Sequence, residues 1–170
     1  MRFRVIVSLA LVVGACAHPG GTGAPADAER LVGTWRLVEV VAVRNDGTKT
    51  TSRWGPNPRG YIVYDRSGHM AAQIMGDPRP TFRDADRPTP EEGLAAFDSY
   101  LAYAGTYVYD QARHVVTHHV EMSADPSDVG QDLPREAQLD GDRVILLAEP
   151  YSLKGEQVRN RLTWARVSGP

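Results

Sequence analysis

Gly33-Thr34-Trp35 and Leu162-Thr163-Trp164-Ala165-Arg166 stand near opposite ends of the globular part of this 170-residue chain. A Gly-x-Trp opening a first strand and an arginine closing a last one predict a small β-barrel sealed at one end. The indole of Trp35 plugs the floor and the guanidinium of Arg166 lies on its face. Such a cation–π contact is worth roughly 0.5–2 kcal/mol. The same pairing joins the first strand to the last and removes the sheet edges. A closed barrel has an interior, and an interior points to a small apolar ligand.

Between these ends the chain reads as an all-β, antiparallel, up-and-down barrel of about eight strands with one short helix. Residues 31–44 alternate, which places Trp35, Leu37, Val41 and Val43 on one face. Asn45-Asp46-Gly47 signals a tight turn, with a short return strand over 48–52 and a Pro-rich loop after Trp54. Residues 60–65 and 69–75 form a hairpin in which Ile62 and Tyr64 share one face and Tyr61 and Val63 the other. Residues 76–90 hold four prolines and many charges, an exposed loop. Thr89, Pro90 and Glu92 have the spacing of an N-cap, a first-turn proline and a capping box. The helix they start carries Leu94, Phe97 and Leu101 as an apolar stripe, expected to lie across one barrel mouth. After a second irregular loop (123–133), strands over 135–139, 142–148 and 157–167 complete the sheet.

The hairpin of residues 100–110 and 114–122 is the most informative for function. A four-residue connector, 110–113, pairs Tyr109 with His114, Tyr107 with Val116, Gly105 with His118 and Tyr103 with Val120. Tyr103, Gly105, Tyr107, Tyr109, His114, His118 and Val120 then share a face, and Gly105 leaves room for the imidazole. If that face points inward, the barrel holds a Tyr/His patch on apolar walls.

The N-terminus reads as an address. Arg2 and Arg4 precede the apolar run 5–13, followed by Gly14, Ala15 and Cys16. A basic start, a short apolar core and small residues define a secretory signal over 1–15. The run is about half the ~20 residues of a membrane-spanning helix. Val13-Gly14-Ala15-Cys16 resembles the lipobox of bacterial lipoproteins, which implies acylation of Cys16 and cleavage just before it. A plain signal cut after Ala17, giving a soluble secreted or periplasmic protein, is the alternative. Residues 16–28 form a Gly- and Pro-rich tether, and the barrel domain spans 29–168. With Ala17 after the cysteine, the lipoprotein reading places the domain at the outer membrane or its periplasmic face.

The bulk properties narrow the classes. A net charge of -2 with scattered arginines argues against a nucleic-acid partner. The sole cysteine, Cys16, excludes an internal disulfide. No cofactor is indicated. His118 and His119 point to opposite faces, and His114 and His118 lie about 13 Å apart at ~3.3 Å per residue, too far to share a zinc. Asp125, Asp128 and Asp132 lack the spacing of a calcium loop. No metal site is expected.

Several ordered strings resemble the bacterial lipocalin-like domain family, a branch of the calycin-type barrels. They include Leu31-Val32-Gly33-Thr34-Trp35, Gly60-Tyr61-Ile62-Val63-Tyr64, Gly68-His69-Met70, Ala96-Phe97-Asp98-Ser99-Tyr100, Val116-Thr117-His118-His119-Val120 and Leu139-Asp140-Gly141-Asp142-Arg143. The terminal Leu162-Thr163-Trp164-Ala165-Arg166 completes the set, so the likeness runs from Leu31 to Val167. It implies a barrel whose interior takes a small hydrophobic molecule. Members of that family usually carry no lipid anchor, and Cys16 therefore suggests envelope work for this chain.

The function expected first is a lipid-anchored barrel that binds a small hydrophobic or amphipathic molecule, touching the membrane through its anchor alone. Tyr64, Tyr103, Tyr107 and His118 are the candidate ligand-binding residues, with Trp35, Arg166 and Gly105 structural. Two alternatives stand beside it. One is an isomerase- or cyclase-type enzyme acting on a small unsaturated oxygenated substrate, with His118, Tyr103 and Tyr107 as catalytic candidates. The other is a filled barrel serving as an interaction lipoprotein through its irregular loops.

Overall fold

The computed structural model describes residues 26–153 and 155–168. The signal, the acylation candidate Cys16 and most of the expected tether lie outside the described residues.

Ten strands run in chain order: β1 (Gly33–Arg44), β2 (Lys49–Thr51), β3 (Arg59–Tyr64), β4 (His69–Met75), β5 (Tyr100–Asp110), β6 (Val115–Ser123), β7 (Asp132–Asp140), β8 (Arg143–Leu147), β9 (Tyr151–Leu153) and β10 (Glu156–Arg166). Eight of them close into one antiparallel barrel in the order β1-β3-β4-β5-β6-β7-β8-β10, with β10 returning to β1. The short β2 and β9 extend β1 and β10 at one end. The up-and-down barrel read from the sequence is therefore the fold.

Closure uses the pair that opened the sequence argument. Trp35 and Arg166 are partners in the β1–β10 register, and the guanidinium carbon sits 4.1 Å from the ring centroid. A short helix, α1 (Asp27–Leu31), adds to this plug; it begins two residues inside the stretch read as tether. Trp35 Nε1 donates to the Leu31 carbonyl at 2.8 Å, and Leu31 is fully buried. Arg166 donates to the carbonyls of Val32 and Arg30, satisfying acceptors that a helix C-terminus leaves open. Gly33, at φ +137°, has no Cβ because one would stand 2.6 Å from Arg166 Nη1.

Two bulges correct the expected faces. The β1–β10 register shifts between Leu37 and Glu39, so Trp35, Leu37, Val40 and Ala42 are buried while Val41 and Val43 are not. An extra residue flips every later side chain to the other face, and period-two alternation cannot show where it falls. The second bulge lies between Ala104 and Gly105 and adds one residue on β6, so that together with a two-residue register difference Tyr103 stands opposite Ser123 rather than Val120.

The β5–β6 register is also two residues from the one expected. Tyr109 pairs with Val116, Tyr107 with His118 and Gly105 with Val120. Asp110 Oδ1 accepts from the backbone N–H groups of Ala112 (3.0 Å) and Arg113 (3.1 Å), which keeps Asp110 paired with Val115 and turns the chain one residue later. A shift of two preserves which face each residue occupies, so Tyr103, Gly105 and His118 still point inward. His114 leaves that face, because it sits in the turn with φ +53°.

Gly105 is needed for a different reason from the one expected. It faces Val120, and a Cβ there would meet the His119 carbonyl oxygen at 2.0 Å and the Glu121 nitrogen at 2.9 Å. The glycine thus lets the backbones close over the bulge. Gly105→Ala is expected to lower stability by about 3 kcal/mol, the upper part of the overpacking range, measured by urea unfolding. An unchanged midpoint would contradict this account.

The helix α2 (Pro90–Asp98) starts where the sequence places it. Glu92 N–H donates to Thr89 Oγ1 at 3.2 Å and Thr89 N–H to Glu92 Oε2 at 2.9 Å, a complete capping box. Its apolar stripe is not buried. The helix ends before Leu101, which belongs to β5, and Leu94 and Phe97 are 61 % and 47 % exposed. The helix stands at the open mouth of the barrel with Phe97 among the residues that line the interior.

Candidate functional site

A cavity of about 350 Å³ runs from the mouth beside α2 into the barrel. Ile62, Ile74, Leu101, Leu133, Leu146 and Leu162 give it apolar walls. Tyr103, His118, Arg135 and Trp164 stand among them, and Arg53, Trp54, Tyr100, Asp125 and Asp128 also line it. A cavity of this size falls at the small end of small-molecule sites. The barrel is not filled, which removes the premise of the filled-barrel alternative.

His118 is the centre of the polar group. It is 1 % exposed, with Tyr64 Oη 2.8 Å from Nε2 and Tyr103 Oη 2.8 Å from Nδ1. Burial first, and the nearby Arg135 cation second, push its pKa down to about 3. The imidazole is therefore neutral at neutral pH, with one N–H and one lone pair. Burial likewise pushes both phenols upward, Tyr64 most strongly, so both stay protonated.

The hydrogen-bond balance assigns the protons. Tyr64 is buried, does not line the cavity, and has His118 as its hydrogen-bond partner. Its O–H is satisfied if it donates to Nε2. Nδ1–H then donates to Tyr103 Oη, and the Tyr103 O–H is left to face the cavity. The arrangement offers a hydrogen-bond donor to a ligand. It is ill suited to taking up a proton, because both imidazole nitrogens are engaged and the cation is disfavoured.

The four candidate ligand residues thus separate. Tyr103 and His118 line the cavity, and Tyr64 stands behind them as their support. Tyr107 lies on the same face but outside the cavity: its hydroxyl donates to the Asp65 carbonyl at 2.8 Å, and its ring packs edge-on against Tyr64 with centroids 4.8 Å apart. The sequence reading missed Arg135. Its strand was expected to begin at that residue, whereas β7 begins at Asp132 and runs through Pro134. Pairing of Arg135 with inward-facing Val116 turns the side chain into the barrel. The signal was available in 133–139, where Leu133, Arg135, Ala137 and Leu139 alternate with Pro134, Glu136 and Gln138.

The lipocalin-like domain family model matches residues 32–167, most of the chain and all of the barrel strands. The chain belongs to the lipocalin-like domain family. No match was found among curated proteins. A lipocalin-like barrel is an architecture suited to binding small molecules in general, and the open interior around Tyr103, His118 and Arg135 is where this one has room for them.

Proposed function

We propose that this chain is an exported carrier, tethered through an acylated Cys16 at the cell envelope, whose barrel holds a small amphipathic molecule. The observation that supports it is the cavity of about 350 Å³, apolar along its walls and supplied with a few fixed polar groups inside. Such a division buries the body of a ligand and orients it by its polar end. The neutral, doubly hydrogen-bonded His118 favours binding over acid–base chemistry.

Two measurements test the two halves of this reading. Trp54 and Trp164 line the cavity, so their fluorescence reports occupancy. Exported protein carrying Cys16→Ser, free of acyl chains and detergent, should show a saturable change with neutral amphiphiles such as decanol. It should also gain about 2.7 kcal/mol of stability at a ligand concentration of ~100 Kd. No response to neutral, anionic or cationic amphiphiles would overturn the carrier reading. In cells, a labelled fatty acid should enter the wild-type chain and not Cys16→Ser; equal labelling, or none in the wild type, would overturn the anchor.

A further inference from the structure

The Tyr103 side chain lines the barrel interior, and by the proton assignment above its O–H faces the cavity as a donor for a ligand.

Arg135 gives the strongest indication. Its guanidinium lines the cavity, donates through Nη1 to the Pro134 carbonyl at 2.8 Å, and forms no ion pair with a carboxylate of the described residues. The neighbouring Glu136 faces outward and pairs with Arg159 at 2.8 Å. The acids that line the cavity are Asp125 and Asp128, both on the β6–β7 connection. Asp125 accepts from the Ser127 N–H at 2.9 Å, and Asp128 Oδ2 accepts from Ser123 Oγ at 3.3 Å. A guanidinium inside a barrel, set beside the Tyr103 hydroxyl and unpaired with a carboxylate of the described residues, matches the paired oxygens of a carboxylate. A cationic head would meet it as a like charge, and a neutral head would leave its charge unpaired.

We propose that the ligand is a carboxylate-bearing amphiphile that enters acid end first. Arg135 holds the carboxylate beside the Tyr103 hydroxyl, and the apolar tail lies toward Ile74, Leu101 and Phe97 at the mouth. This rests on the carrier reading and names the ligand class for the same cavity.

The test compares three probes of one chain length, decanoate, decanol and decyltrimethylammonium, by tryptophan fluorescence at neutral pH with the exported Cys16→Ser protein. Decanoate should bind at least about tenfold more tightly than decanol, as expected for a charge-assisted hydrogen bond, and the cation most weakly. Arg135→Met should remove that preference by weakening decanoate at least about tenfold without weakening decanol, and a cooperative urea transition shows that the variant is folded. Arg135→Lys, which keeps the charge and loses the fork, should retain part of the preference. Equal affinity for decanoate and decanol, or an acid preference that survives Arg135→Met, would overturn this proposal and leave the carrier reading standing. Failure of all three probes would overturn both.

Discussion

Replacing Trp35 with alanine should remove about 4–6 kcal/mol of stability, enough to leave a domain of ordinary stability largely unfolded. Trp35 is fully buried where β1 and β10 meet, and three interactions converge on it. Its ring fills the closed end, which accounts for about 3–5 kcal/mol on truncation. Arg166 stacks 4.1 Å above it, and Nε1 bonds to Leu31 at 2.8 Å. Once the ring is gone, the guanidinium loses its platform and the α1 plug loses its anchor. Trp35→Phe keeps an aromatic face but not the N–H, and should cost about 1–2 kcal/mol, close to the worth of one buried hydrogen bond. Urea unfolding of both variants checks this. A Trp35→Ala midpoint near that of the wild type would mean that the barrel closes by some other contact.

The second large effect belongs to His118. His118→Phe roughly keeps the ring volume but orphans the buried Tyr64 hydroxyl and takes away the N–H that Tyr103 Oη accepts, and should lower stability by about 2–4 kcal/mol, most of it from Tyr64. Adding Tyr64→Phe removes the orphaned hydroxyl and should recover part of the loss, because an apolar pair of the same shape needs no partner. A double variant no more stable than His118→Phe would show that Tyr64 does not depend on the imidazole.

The same residue sets a pH dependence. Its folded pKa is depressed to about 3 from 6.5, so below pH 6.5 the unfolded chain binds a proton that the folded chain refuses. Stability from this group is therefore fully present above 6.5 and falls as the pH drops toward 3. The slope approaches about 1.4 kcal/mol per pH unit at the steepest. Between neutrality and pH ~5 carboxylates contribute little, and the difference between wild type and His118→Phe separates this imidazole from the chain's other histidines. Unfolding midpoints measured across this window should fall more steeply for the wild type than for His118→Phe. Equal slopes for the two proteins would show that His118 is not held neutral by burial.

Much of the barrel can be read directly from local chemistry. The β4 strand, His69–Met75, has the bounds that alternation predicts, and Thr89 and Glu92 mark the start of α2 because a capping box is a contact among near neighbours. The inward direction of Tyr103 and His118 survived a register error of two because side-chain faces repeat every second residue. Tyr107 did not keep its expected role, since facing inward at the closed end brought its hydroxyl to Asp65 rather than to the cavity. Arg135 shares the alternation of Leu133, Ala137 and Leu139, and it escapes notice only when the strand is begun at Arg135 instead of Asp132. The bulges at Leu37/Glu39 and Ala104/Gly105 leave no mark in hydrophobic periodicity.

The sequence alone determined that this chain curls into a closed antiparallel barrel stoppered by Trp35 and Arg166, because turn chemistry, strand alternation and the terminal aromatic–cation pair are each carried by a few residues. Only the tertiary structure decided that the interior is open, that His118 is locked between Tyr64 and Tyr103, and that Arg135 shares the space with them. Those facts depend on register, bulges and how tightly distant strands approach. They are sums over the whole barrel, and no single stretch of the chain contains them.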